Sequence, residues 1–338
     1  MGASLERAYV EWTYGKGCPI NGKKVIRASD FSDAQLAKMS RKDLVKISKS
    51  LGIGQPPKTR PKGDEKELPE DVRKFYDSIR KNIHKGEAFD HGLWDEILKE
   101  CVDEGEIRGI PLNTFDYTKL VKKTEGKEGK LLGDKLDAYL EKLGTADLES
   151  LSANNQIALL MNAYNALCIN IIVKAMRAGK SVNSIRDLGE GDTKVWDINA
   201  GKLCGEEITL TSLEHKSLRG VWAEPRLHAC IVCASVSCPD LRGEAFRGDD
   251  TLADQMDDQM RKWMLNPKKG MNVNGGGKHI ALSSIFNWFA RDFRPTPIKF
   301  LFPYLPEKAQ EIVKANRYKM KKDFMEYDWG INMPSKSS

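Results

Sequence analysis

The window from Ile157 to Met176 constrains this chain more than any other stretch of it. It is long and apolar enough on paper to cross a bilayer. It also carries Asn162, Asn165, Asn170 and Lys174, whose polar groups are costly in hydrocarbon. A helix of this kind is satisfied if protein wraps it, so it reads as the buried centre of a soluble fold rather than a membrane span. Ile157, Leu160, Met161, Tyr164, Cys168, Ile171 and Ala175 form one stripe, with Asn165 at its edge and Asn162 further round. A buried amide needs hydrogen-bond partners, so these asparagines are expected to fasten the helix to neighbouring backbone or to a site.

The elements around that helix are irregular in order. Residues 1–53 read as a small helical segment in which Ser40 and Asp43 form an N-cap arrangement and Gly52 and Gly54 end the helix. Residues 54–67 hold three prolines and seven charges with no large apolar side chain before Leu68, the composition of a flexible linker. Residues 68–111 form a helical extension with helices over 69–83 and 93–102, and 112–330 form the main domain. Within it the patterns predict helices over 131–143, 212–219, 251–265, 283–293 and 307–322. A hairpin joins 195–198 to 203–204, and a buried strand runs over 226–233. Without a regular strand–helix alternation, the fold class is α+β, mostly helical with a small antiparallel sheet.

The 338 residues leave room for one large domain and a smaller one. With 54 Lys and Arg against 48 Asp and Glu, the net charge of +6 is too dilute to argue for a specific nucleic-acid partner. The basic run Lys314, Arg317, Lys319, Lys321 and Lys322 is most simply a solvated helix face. Seven cysteines form an odd total, and the N-terminus has no apolar signal core, so reduced thiols and a cytoplasmic location are expected. Asn274 to Lys278 lacks the ending of a phosphate loop, and neither a cofactor nor a resident metal is expected. Cys18, Cys101, Cys168 and Cys204 sit in apolar contexts and read as core thiols.

The remaining cysteines cluster at Cys230, Cys233 and Cys238. On a strand over 226–233, His228 and Cys230 would share one face and Cys233 the other. Cys238 precedes Pro239, a residue favoured at the first position of a helix, where free N–H groups promote thiolate. A thiol nucleophile needs a base, here His228 or His215, and an orienting group, Glu214 or Asn165. Amides of the turn after Cys233 could stabilise an oxyanion. Glu214 has a structural reading too, because Thr211-x-x-Glu214 spells a capping box. The same donors could hold zinc, His228 with Cys233 and Cys238, although the strand separates Cys230 from Cys233.

Several segments resemble, in order, the motifs of the DUF547 family: Phe115-Asp116-Tyr117, Met161 to Leu167, Ser184 to Asp187, Leu213 to Arg219, Arg226 to Ala229, Cys233 to Pro239 and Leu282 to Phe289. The resemblance covers about 112–305 and says nothing of 1–111. It implies a fold related to papain-like or transglutaminase-like thiol enzymes. Leu159-Leu160 stands where the family usually has an aromatic pair, and Cys230 replaces an apolar residue, which sets Cys230 outside any shared site.

The leading expectation is a cysteine-dependent hydrolase or acyltransferase acting on a peptide, amide or thioester, with Cys233 or Cys238 as nucleophile. Its rivals are a non-catalytic interaction module, with the N-terminal helices recruiting a protein partner, and a zinc-binding domain.

Overall fold

A computed structural model describes residues 31–59, 68–82, 86–122, 131–222, 224–274 and 277–334. The expectation for Cys18, and the linker beyond residue 59, lie outside the described residues. The molecule is mostly helical, with strands confined to two small hairpins and a three-stranded sheet.

At the N-terminal end, α1 (Asp33–Lys38) and α2 (Arg41–Leu51) divide what the periodicity reads as one pattern. Ser40 makes the division: its side chain accepts from the Asp43 amide and starts a new helix. Gly52, at φ 64, ends α2 in the left-handed conformation that glycine adopts without a Cβ clash. With α3 (Glu70–Asn82), these helices enclose a small core of Phe31, Leu36, Val72, Phe75, Tyr76 and Ile79.

Next come α4 (Gly92–Cys101) and a hairpin of β1 (Val102–Ile107) and β2 (Ile110–Phe115). The hairpin turns at Arg108 and Gly109, both with positive φ, the backbone that matches the strands' right-handed twist. Charge along β1, whose residues are mostly exposed, hides this strand from pattern reading. The hairpin runs across position 112, and Trp94, Ile97 and Leu98 of α4 join the central core, so a domain boundary at 112 falls inside one packed unit.

The central helix α6 (Ala153–Arg177) follows α5 (Leu132–Gly144) and is buried from Asn154 to Val173. Protein covers 94% of its most apolar window. A second core, with Met260, Trp263, Phe286, Phe293 and Leu301, lies beside it. The helix α8 (Leu252–Leu265) joins the two cores, giving Leu252 and Met256 to the first and Met260 and Trp263 to the second.

Five of the expectations differ from the structure. The segment over 226–233 is a short helix, α7 (Leu227–Cys230), followed by extended chain. It lies where the two cores meet and all four of its residues are buried, so its short pattern cannot distinguish strand from helix. The hairpin falls later, as β3 (Gly201–Leu203) and β4 (Glu206–Ile208), turning at Cys204 and Gly205, again with positive φ. No helix follows Cys238. The C-terminal basic run is divided: a helix, α10 (Glu307–Ala315), stops early, and β7 (Lys321–Phe324) adds parallel to β6 (His279–Leu282), itself antiparallel to β5 (Met271–Asn274). The expected helix over 283–293 shortens to α9 (Ile285–Trp288).

Candidate active site

Two asparagines of α6 hold the site from below. Asn162 donates to the Phe246 carbonyl at 2.8 Å and accepts from the Phe246 amide at 3.0 Å. Three residues on, Asn165 donates to the Cys230 carbonyl and accepts from the Val232 amide, both at 2.9 Å. Each side-chain amide pairs with backbone as a neighbouring strand would, so no buried polar atom is left over. Asn165 therefore fixes the chain one residue before Cys233. Both its polar ends are engaged by backbone, so it is not the group that orients a histidine.

From Cys233 the chain turns sharply. Ala234 adopts a left-handed φ of 61°, which costs a residue with a Cβ some strain. A C-terminal strap holds the turn: the amides of Val236 and Ser237 donate to the carbonyls of Gly330 (2.8 Å) and Asp328 (3.2 Å), and the Asn332 amide donates to the Ala234 carbonyl (3.0 Å). The Cys238 amide donates to the Ser235 carbonyl. The amides of Val236, Ser237 and Cys238 are thus spent on carbonyls and are not free as the expected oxyanion donors, whereas the Ser235 amide is directed at the Cys233 sulfur.

This turn brings two sulfurs together. Cys233 Sγ and Cys238 Sγ share a hydrogen bond at 3.4 Å, and the Cys233 amide donates to Cys238 Sγ at 3.1 Å. Ser235 Oγ lies 3.0 Å and Tyr327 Oη 3.5 Å from Cys233 Sγ. The Cys238 thiol, aided by the hydroxyls of Ser235 and Tyr327, stabilises a thiolate on Cys233 and outweighs burial, so Cys233 titrates below the ordinary thiol range. Cys238 moves the opposite way, through burial and the neighbouring sulfur. One negative charge serves both.

The histidines divide by environment. His228, 4% exposed, sits on α7 with Nε2 2.8 Å from Asp292 Oδ2 and its ring stacked on Phe289. No hydrogen bond to its Nδ1 is found among the described residues. Burial holds its pKa below the ordinary imidazole value despite the carboxylate. Asp292 also accepts from Arg219 at 2.7 and 3.1 Å. Burial works to raise Asp292, but the hydrogen bonds from His228 and Arg219 hold it well below the carboxylate range. His215 is exposed and its Nδ1 lies against the Arg219 guanidinium. Burial and that cation lower its pKa.

Glu214 is reached through an unusual turn. The capping box forms two residues earlier than the sequence suggests, between Thr209 and Ser212. Residues Leu213–Leu218 then form a π-helical turn closed by the Arg219 amide on the Glu214 carbonyl. Freed from capping, Glu214 lies half-buried against Tyr164 Oη at 3.4 Å, and desolvation pushes its carboxyl up to about 7.

Of the six site residues expected from sequence, all but Asn165 line one cavity of about 380 Å³: Cys233, Cys238, His215, His228 and Glu214. Much of its remaining wall is aromatic, with Trp196, Trp288, Phe289, Tyr327 and Trp329, beside the charged Lys194 and Asp197. The zinc alternative loses its support, because among the described residues no three His, Cys, Asp or Glu side chains converge on a point that could hold a metal. Cys230 turns away to donate to the Arg226 carbonyl. Sequence reading missed Asp292, Arg219 as its clamp, and Tyr327. Asp292 lies 64 residues from His228 and Tyr327 lies 94 from Cys233, too far along the chain for local spacing to join them.

The fold and site define an α+β protein with a thiol pair in an aromatic cavity. Residues 148–264 match the family model described as "Protein of unknown function, DUF547", the family that the motifs resemble. That segment contains Asn165, Glu214, His215, His228, Cys233 and Cys238, and it stops short of Asp292 and Tyr327. No curated protein and no solved structure matches the chain.

Proposed function

We propose that the protein is a cysteine-dependent hydrolase or acyltransferase, with Cys233 as nucleophile and His228 as base. The observation that carries this reading is the partly exposed Cys233 sulfur, polarised by three hydrogen-bond partners, in one cavity with a buried His228–Asp292 pair. Cys233 attacks the carbonyl carbon of a peptide, amide or thioester, while His228 Nδ1 takes the thiol proton and returns it to the leaving group. Asp292 orients the imidazole through Nε2 and stabilises its charged form. The resulting thioester passes its acyl group to water or to a second nucleophile. Glu214, titrating near neutrality, supplies a second proton donor in the same cavity. The papain-like relationship implied by the motifs fits this set of roles.

An electrophilic acyl probe tests the reading. Labelling should disappear in Cys233→Ala and slow by about 100-fold in His228→Gln, the usual contribution of a general base. Labelling that persists in Cys233→Ala, or that is indifferent to His228→Gln, overturns the proposal in favour of a non-catalytic module.

A further inference from the structure

We infer that Cys233 and Cys238 are a site of reversible oxidative modification, at which a peroxide converts the two thiols into an intramolecular disulfide. The inference goes beyond acyl transfer and needs no catalytic turnover, since it stands on how the two sulfurs are held.

Their approach is built by backbone rather than by two mobile side chains. The strap fixes Val236 and Ser237, the Cys238 amide is bound to the Ser235 carbonyl at 3.1 Å, and Asn165 fixes Val232 just before Cys233. The Cys233 amide itself seats the Cys238 sulfur. A separation of 3.4 Å therefore closes to a bond through small side-chain rotations. Both sulfurs line the cavity, which is ample for a hydroperoxide. The contrast with Cys230 is sharp, for its sulfur lies on the Arg226 carbonyl, away from the pair.

The chemistry closes without a further reactant. The Cys233 thiolate attacks the distal peroxide oxygen, the O–O bond breaks, and an alcohol or water leaves once protonated, which gives a sulfenic acid on Cys233. Cys238 sulfur then attacks Cys233 sulfur, the S–S bond forms, and the hydroxyl leaves as water with the Cys238 proton. Two thiols are oxidised and one peroxide is reduced. A dithiol reverses the step by exchange. While the bond lasts, the nucleophile of the cavity is blocked.

The test treats the full chain with hydrogen peroxide, digests it with trypsin and weighs the peptide 227–242, which holds all three clustered cysteines. The expected result is loss of two hydrogens, a Cys233–Cys238 link in fragmentation, and full recovery with dithiothreitol. Cys238→Ser should stop at the sulfenic acid, trapped on Cys233 by a 1,3-dione. A peptide that keeps three free thiols, or a link that involves Cys230, overturns the inference. Because the readout is thiol oxidation in the wild-type chain, it is independent of whether an acyl probe is turned over.

Discussion

At the scale of single residues, the thiol pair is governed by who donates to whom. The Cys238 thiol is the largest influence holding Cys233 below the ordinary thiol range, ahead of Ser235 and Tyr327. Depression means that thiolate persists to lower pH, so alkylation of Cys233 should reach half its maximal rate below the pH of a free thiol. Cys238→Ala removes the main donor, and the midpoint should move up. Rates of iodoacetamide addition to Cys233 against pH, read by mass, check this, and an unmoved midpoint contradicts it. Cys233, Cys238, His228 and Glu214 are legible in the sequence because reactive side chains crowd into one short region. Asp292 is not, since nothing local marks a carboxylate whose partner is supplied by another element.

At the scale of elements, legibility follows periodicity. The helices Glu70–Asn82, Leu132–Gly144 and Leu252–Leu265 present one apolar face and are readable to within a residue or two. The short helix Leu227–Cys230 is not, for it is buried on all sides and too brief to show a period. An ionic cluster fixes it instead. Arg226 donates to Glu224 at 2.6 and 2.8 Å and to Asp257 at 2.6 Å, with Glu224 and Arg226 both buried. Removing one member strands a buried charge, so Glu224→Ala should destabilise the fold by about 3 kcal/mol. Urea unfolding measures this, and a loss near zero would show that Asp257 alone suffices. The π-helical turn has the same lesson: one extra residue in the turn brings the Arg219 amide onto the Glu214 carbonyl, with Glu214 lining the cavity and the Arg219 guanidinium on Asp292.

At the scale of the whole molecule, the cavity lies between two cores, while the N-terminal helices enclose a third of their own. The site draws no lining residue from the N-terminal helices. A chain beginning at residue 86 should therefore keep the Cys233 labelling rate of the full chain. A chain ending at Phe324, which loses Tyr327 and the carbonyls of Asp328 and Gly330, should lose the accelerated labelling even where its circular dichroism stays helical. Equal rates for all three chains would show that the strap does not shape the thiol.

The strap also has a bearing on timing. Synthesis runs from the N-terminus, so Cys233 emerges from the ribosome well before Tyr327, 94 residues later. Until then the turn lacks the amide acceptors that set its shape, and the sulfur has no phenol beside it. A nascent chain carries the nucleophile in an unactivated form, and its chemistry is withheld until the strap docks.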